Sequence, residues 1–137
     1  MREMFAGIAP RYDFLNHFLS LGTDVLWRWR AVRRLRAVLG TPSPRVLDLC
    51  CGTGDMTLAA ARLGPVTGCD FCHPMLVRGL DKVRRRAPAH PVALAEGDAL
   101  RLPFADGTFD AVTVAFGVRN FADVPAALAE MRRVLRP

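Results

Sequence analysis

Two acids and a glycine turn carry the first chemical signal in this chain. The stretch 45–55 reads Arg-Val-Leu-Asp-Leu-Cys-Cys-Gly-Thr-Gly-Asp. A short apolar run (Val46, Leu47, Leu49) holds one acid, Asp48, and then breaks at Gly52 and Gly54. Glycines at such a break let the backbone take left-handed conformations and approach a ligand closely. A helix-compatible run follows from Met56 to Leu63. Strand, glycine loop and helix in that order form the nucleotide-binding edge of an α/β sheet. A second acid, Asp70, comes 22 positions after Asp48, at the end of the next expected strand. An acid at that spacing is a ribose-hydroxyl partner for a nucleoside.

Two nucleoside cofactors compete for this layout. A dinucleotide fingerprint wants a small residue at its third glycine position. Thr57 stands there, and Asp55 would repel a pyrophosphate placed at the helix start. A phosphate-free cofactor with a positive centre avoids that repulsion. S-adenosylmethionine, with adenosine, an amino acid and a sulfonium, is such a cofactor and is the favoured reading.

The elements needed to position these residues follow from periodicity. Short apolar segments at Val46–Leu49, Val66–Cys69, Pro91–Ala95 and Asp110–Ala115 alternate with helical stretches, including 74–86 and 124–135. That alternation predicts a parallel sheet with right-handed crossovers. Before it lies an apolar, aromatic segment interrupted by Pro10. Then a helix is expected from Asp24, as N-cap, to about Leu39. Val25, Trp29, Val32, Leu35 and Leu39 would form its apolar face, with the arginines opposite. Gly40-Thr-Pro-Ser-Pro44 closes this helix as a linker. The expected organisation is an N-terminal helical cap over 1–44 and a partial Rossmann-like domain over 45–137. About four strands are present, and the chain reads as a fragment whose sheet edge beside the fourth strand is apolar and uncovered.

Composition narrows the function classes. At 137 residues and 51% hydrophobic content the chain supports one packed core. No apolar run approaches a membrane span, and the start lacks a secretory apolar core, so a cytoplasmic protein is expected. The net charge of +6 is concentrated at Arg28, Arg30, Arg33, Arg34 and Arg36 and again at Arg84, Arg85 and Arg86. Solvated helix faces are the plain reading of these clusters, and an anionic membrane surface is the next. No nucleic-acid-binding motif accompanies them. The four cysteines, Cys50, Cys51, Cys69 and Cys72, include one C-x-x-C. Adjacent thiols are poor joint ligands and a second C-x-x-C is missing, so they are read as small apolar side chains lining a cofactor loop, with no metal expected.

Several longer motifs occur in order: Met4-Phe-Ala-Gly-Ile-Ala-Pro-Arg-Tyr-Asp-Phe-Leu-Asn16, Leu19-Ser-Leu-Gly22, Trp27-Arg28, Leu47 to Asp55, Gly97-Asp-Ala99, Leu102-Pro-Phe104 and Phe116-Gly-Val-Arg-Asn120. With them the chain resembles the quinone C-methyltransferases, which methylate demethylmenaquinol and, in dual-specificity members, a polyprenyl-benzoquinol. The glycine loop alone says only class I methyltransferase; the amino-terminal motif and Phe-Gly-Val-Arg-Asn are more specific. The resemblance implies a class I methyltransferase Rossmann-like sheet and S-adenosylmethionine as cofactor. It places Asp48, Gly52, Thr53 and Gly54 on the methionine part, Asp70 on the ribose hydroxyls, and Asp98 with Ala99 on the adenine. Ala115 stands where the family often has a serine that touches the cofactor, so no side-chain hydrogen bond is available there. Cys50 replaces an extra glycine of the general loop. As bare residues, Asp48 could equally brace the loop, Asp70 cap the next helix, and Asp98 serve a turn.

The implied reaction methylates an aromatic carbon. A hydroquinone becomes a carbon nucleophile when a hydroxyl is deprotonated, and the sulfonium methyl is then displaced in line. Such a site needs alignment, a stabilised phenolate and a proton acceptor. Arg119 offers a permanent cation and Asn120 an amide donor, both just after the fourth strand. Tyr12, Asp13 and His17 lie in the amino-terminal cap. The ordinary pKa of a histidine side chain makes His17 a candidate base, but it lies in sequence among Phe14, Leu15, Phe18 and Leu19, where packing is its plainer role. A polyprenyl quinol would stay in the membrane, which implies peripheral contact through the basic helix that starts near Asp24. A homo-oligomer is left open.

Overall fold

The computed structural model describes residues 3, 4, 7 and 22–137. The expected site residues Tyr12 and His17, with Asp13, lie outside the described residues.

The sheet has four parallel strands: β1 (Val46–Leu49), β2 (Val66–Asp70), β3 (Val92–Glu96) and β4 (Ala111–Val114). Their spatial order is β3-β2-β1-β4. β1 is therefore internal and buried along its whole length, as a near-continuous apolar run predicts. The helices are α1 (Thr23–Leu39), α2 (Asp55–Ala60), α3 (His73–Arg86) and α4 (Val124–Val134), with a 3-10 turn at Val118–Asn120. The alternating parallel α/β architecture expected from the sequence is present, with strand and helix ends shifted by a residue or a few.

Two cores lie on opposite faces of the sheet. Leu47, Leu49, Cys69, Phe109, Met131 and Val134 pack on one side, under α4. Val46, Met56, Ala60, Leu63 and Val66 pack on the other, under α1 and α2. Successive β1 residues alternate between them, as strand geometry demands. Asp48 falls on the Val46 side and meets Thr57 of α2.

Chain punctuation explains the helix ends. Asp123 caps α4 by accepting from Ala126 N at 3.0 Å, and Pro125 follows within the first turn. Gly40, with φ 58°, ends α1 in the left-handed conformation. The three arginines 84–86 sit in the last turn of α3, where cations complement the helix dipole.

α1 corrects two expectations. Gly22 is its N-cap, and Asp24 lies one residue inside the helix, where it accepts from Arg28 Nη2 at 2.9 Å. Val25 and Trp29 are exposed, while Val32 is buried in the second core and Trp27, Ala31, Leu35 and Leu39 pack against that core. Asp24 is buried and Trp27 half-buried on the inward side of the first turns, and Trp29 lies outside. Trp27 then meets Phe116 edge to face at 5.3 Å.

Candidate active site and its relatives

β2 and β4 flank β1 on opposite sides, so the chain reverses its winding direction between them. The crevice beyond the strands' carboxyl ends at such a reversal is where α/β sheets bind ligands. A cavity of about 790 Å³ opens there. That volume lies within the range of small-molecule sites. Its walls come from the ends of all four strands: Cys50 and Gly52 after β1, Asp70 to Cys72 after β2, Glu96 to Leu100 after β3, and Ala115 to Gly117 with Arg119 to Ala122 after β4.

Asp70 organises the centre. Its Oδ2 accepts from Gly52 N at 2.8 Å and its Oδ1 from Cys72 N at 2.9 Å. Each carboxylate oxygen keeps further acceptor capacity, since an ionised carboxylate has about four lone-pair sites. The acid is held by backbone and still lines the cavity. Gly52 and Gly54 turn the loop at φ 55° and 90°, a conformation that costs a Cβ-bearing residue energy. Cys50, at φ 57°, adopts the same region without that freedom, and Phe116 does so at φ 61°. Cys50 and Phe116 both line the cavity.

On the β3 side, Asp98 is exposed and its Oδ1 accepts from Leu100 N at 2.9 Å, an Asx-turn arrangement. Ala99 beside it is buried. On the β4 side, Ala115, Arg119 and Asn120 line the same cavity, the last two on the 3-10 turn and exposed. The structure thus brings together Gly52, Asp70, Asp98, Ala99, Ala115, Arg119 and Asn120.

Asp48 and Thr53 are placed differently. They line a second cavity of about 400 Å³, with Asp24, Trp27 and Arg28 of α1 on its other side. The Asp48 carboxylate is buried and accepts from Thr57 Oγ1 at 2.6 Å and Thr113 Oγ1 at 2.9 Å. Burial pushes its pKa up to about 6, against the opposing pull of both hydroxyls. Cys50, Gly52, Ala115 and Phe116 border both cavities, which therefore adjoin across the glycine loop.

Burial also holds the Cys50 and Cys69 thiols up at about 12 and pushes Cys51 higher still, so none is a thiolate at neutral pH. All four cysteines are free.

Two supports are invisible in local sequence. Lys82 Nζ of α3 donates to Thr53 Oγ1 at 3.0 Å and to Asp55 Oδ1 at 2.9 Å, which pins the glycine loop from the side. It is the only lysine in the chain, which marks it without showing what it touches. Arg133 of α4 donates to Leu102 O and Phe104 O, while Glu130 accepts from Leu102 N. The two side chains also pair with each other, and this holds Glu130 down to about 2. Together they clamp the segment that follows Asp98 and Ala99.

These features fit an adenosine with an amino-acid tail. There is an acid with spare acceptors for a diol, a second acid beside a buried small residue, and a glycine turn at which the two cavities adjoin.

Comparison with known proteins agrees. The demethylmenaquinone methyltransferase of Thermus thermophilus is 51% identical over 139 residues, covering 98% of this chain and 60% of that protein. The 2-phytyl-1,4-naphtoquinone methyltransferase of Synechocystis is 40% identical, covering 100% and 58%. The ubiquinone/menaquinone biosynthesis C-methyltransferase of Geobacter sulfurreducens is 45% identical, covering 100% and 54%. The chain thus spans between 54% and 60% of the length of these relatives. Among solved structures, a putative S-adenosylmethionine-dependent methyltransferase from Methanococcus maripaludis superimposes with a TM-score of 0.83 at 19% identity, covering 96% of this chain and 59% of that one. The YcgJ protein of Bacillus subtilis does so with a TM-score of 0.71 at 27% identity, covering 78% and 46%. The fold is that of the class I methyltransferases. The model of the ubiE/COQ5 methyltransferase family matches residues 1–137, and this chain belongs to that family.

Proposed function

We propose that the chain binds S-adenosylmethionine and forms the catalytic half of a C-methyltransferase acting on a demethylmenaquinol-type polyprenyl quinol. One observation carries the reading: Asp70 and Asp98 share a single cavity with Arg119 and Asn120. The first pair suits the adenosine, the second pair a phenolate oxygen.

The cofactor, when bound, supplies an electrophilic methyl group. Asp70 holds the ribose diol through its remaining acceptor positions, and Asp98 takes the adenine amine. Gly52 and Gly54 keep the loop close to the methionine part. Arg119 stabilises the quinol oxyanion, which places charge on the ring carbon that attacks, and Asn120 orients the same oxygen. Tyr12 and His17, outside the described residues, are proposed to belong to the cover over the acceptor, with His17 as the candidate base.

Among the described residues no helix is long and apolar enough to cross a membrane. The acceptor's lipid tail instead requires contact with a membrane surface from a cytoplasmic enzyme. The outward face of α1 supports this role: Val25, Leu26 and Trp29 are exposed beside Arg30 and Arg33, and Arg33 stacks on the Trp29 ring at 4.6 Å. Sedimentation with anionic liposomes that falls with salt is the expected result. Binding indifferent to lipid charge would count against it.

Isothermal titration of S-adenosylmethionine tests the cofactor, and methyl transfer to demethylmenaquinol tests the acceptor. Arg119→Ala is expected to slow methyl transfer by about a hundredfold or more while changing cofactor affinity little. Equal losses in both would remove Arg119 from the chemistry. The share of the relatives covered favours a second reading, in which this chain binds the cofactor and turnover needs further residues. Tight binding without transfer is its signature.

A further inference from the structure

Phe116 stands apart from the other large side chains at the ligand edge of the sheet. Its aromatic side chain leaves the residue 66% exposed. It also holds a φ of 61°, a left-handed conformation that is rare for a bulky residue and that clusters at functional sites. Neither core burial nor backbone preference accounts for it. It borders both cavities. Its ring meets Trp27 of α1 edge to face, with centroids 5.3 Å apart and planes at 88°. Trp27 packs against the second core, so this contact ties an exposed ring to a fixed one. The turn that follows is held as well. Asn120 N donates to Gly117 O at 3.0 Å, and Phe121 N to Val118 O at 3.1 Å. Gly117 lies so close to the glycine loop that a Cβ there would stand 2.5 Å from Cys50 Sγ. Phe116 and Arg119 are thus carried on one short, closely packed turn.

Strand order says which part of the ligand this ring faces. β3, which leads to Asp98 and Ala99, and β4, which leads to Phe116, are the two outer strands of the sheet. They stand three strand spacings apart, about 14 Å. The adenine end of the cofactor and the Phe116 ring therefore belong to opposite sides of the site. Arg119 and Asn120, on the Phe116 side, address an oxygen of the acceptor and leave its ring unmatched. We propose that Phe116, braced by Trp27, is the platform on which the aromatic ring of the acceptor stacks, and that it is a specificity-determining residue of the site. The inference rests on the quinol reading above and deepens it. A cation and an amide select an oxyanion, whereas an aromatic face selects a flat, π-rich acceptor. Stacking and apolar contact both grow with the area of the ring. A two-ring headgroup therefore gains more from Phe116 than a one-ring headgroup does.

Equilibrium binding of tail-free headgroups to the chain loaded with S-adenosylhomocysteine tests the assignment. The probes are 1,4-dihydroxynaphthalene, with two rings, and hydroquinone, with one. Both are kept reduced under argon and read by ligand-observed NMR. In Phe116→Leu the two-ring probe should lose about three- to tenfold in affinity, and the one-ring probe less than about twofold. Phe116→Tyr should stay within about twofold of wild type for both. Affinity for S-adenosylhomocysteine should hold within about twofold in each variant, which also shows that each is folded. Trp27→Leu should weaken the two-ring probe in the same direction; no loss there refutes the brace. Equal losses for the two probes in Phe116→Leu, or none, overturn the assignment and leave the quinol reading standing. So does a loss confined to anionic-liposome binding, which would place Phe116 at the lipid surface instead. A folded wild-type chain that binds neither probe, with or without S-adenosylhomocysteine bound, overturns both.

Discussion

Gly52 and Asp70 lie 18 residues apart and are joined by one hydrogen bond, from the glycine N–H to Oδ2 at 2.8 Å. That bond ties the turn after β1 to the end of β2. The acid expected to meet a ribose is thus also a structural member of the loop. Removal of its side chain strands two backbone donors, those of Gly52 and Cys72. Asp70→Ala should therefore abolish cofactor binding and also lower stability by about 1–3 kcal/mol. Titration alone would confuse the two effects. Paired with a denaturant midpoint, it separates them, and a binding loss with no stability loss would mean the loop bonds are dispensable.

Asp48 yields a prediction about pH. Its folded pKa, about 6, stands above the ordinary 3.8. Between those values the folded chain holds a proton that the unfolded chain has released, so stability falls as pH rises through this window. A shift of this size corresponds to about 3 kcal/mol at neutral pH. Asp48→Asn keeps the shape and removes the buried charge. It should stabilise the chain above pH 6 and approach wild type near pH 4. Urea titrations across that range read the difference; a constant offset would show that the charge is not the cause.

Close packing of Cys50 against Gly117 can be tested by a double variant. A Cβ added at Gly117 would stand 2.5 Å from both Cβ and Sγ of Cys50. Gly117→Ala should cost about 1–3 kcal/mol through overpacking. Cys50→Gly relieves the same contact and the left-handed φ of 57°. The double variant should regain most of the loss, and strict additivity in thermal unfolding would refute the coupling.

The Glu130–Arg133 clamp acts on the segment after Asp98 and Ala99. Arg133→Ala leaves the Leu102 and Phe104 carbonyls without this donor. A stability loss of about 1–3 kcal/mol is expected, with weaker adenosine binding as the segment loosens. Hydrogen exchange at Leu100 and Leu102 provides the direct reading, since both amides are bonded to acids in the folded chain. Unchanged protection there would remove the clamp from the site.

Sequence alone determined the kind of fold. Short apolar runs at Val46–Leu49 and Val66–Asp70, separated by helical periodicity, leave a parallel sheet as the way to bury both faces. It also marked Asp70 and the glycine turn, because loop and acid follow successive strands at a readable spacing. Family motifs such as Phe-Gly-Val-Arg-Asn, at 116–120, drew Arg119 and Asn120 to the same edge. Tertiary structure decided the rest. The placement of β4 beside β1 brings Ala115, Arg119 and Asn120 to the cavity of Asp70, and strand order is not a local property. Asp48 meets Thr113 across 65 residues, and Lys82 meets Thr53 across 29, so neither partner is legible from neighbouring positions. Val25 and Trp29 lie outside the inward face of α1 although their spacing fits it, because apolar spacing gives a helix its stripe but not its rotation. Contacts with the rest of the fold set that rotation: Val32, Leu35 and Leu39 pack on the core and Trp27 meets Phe116, partners far away in sequence.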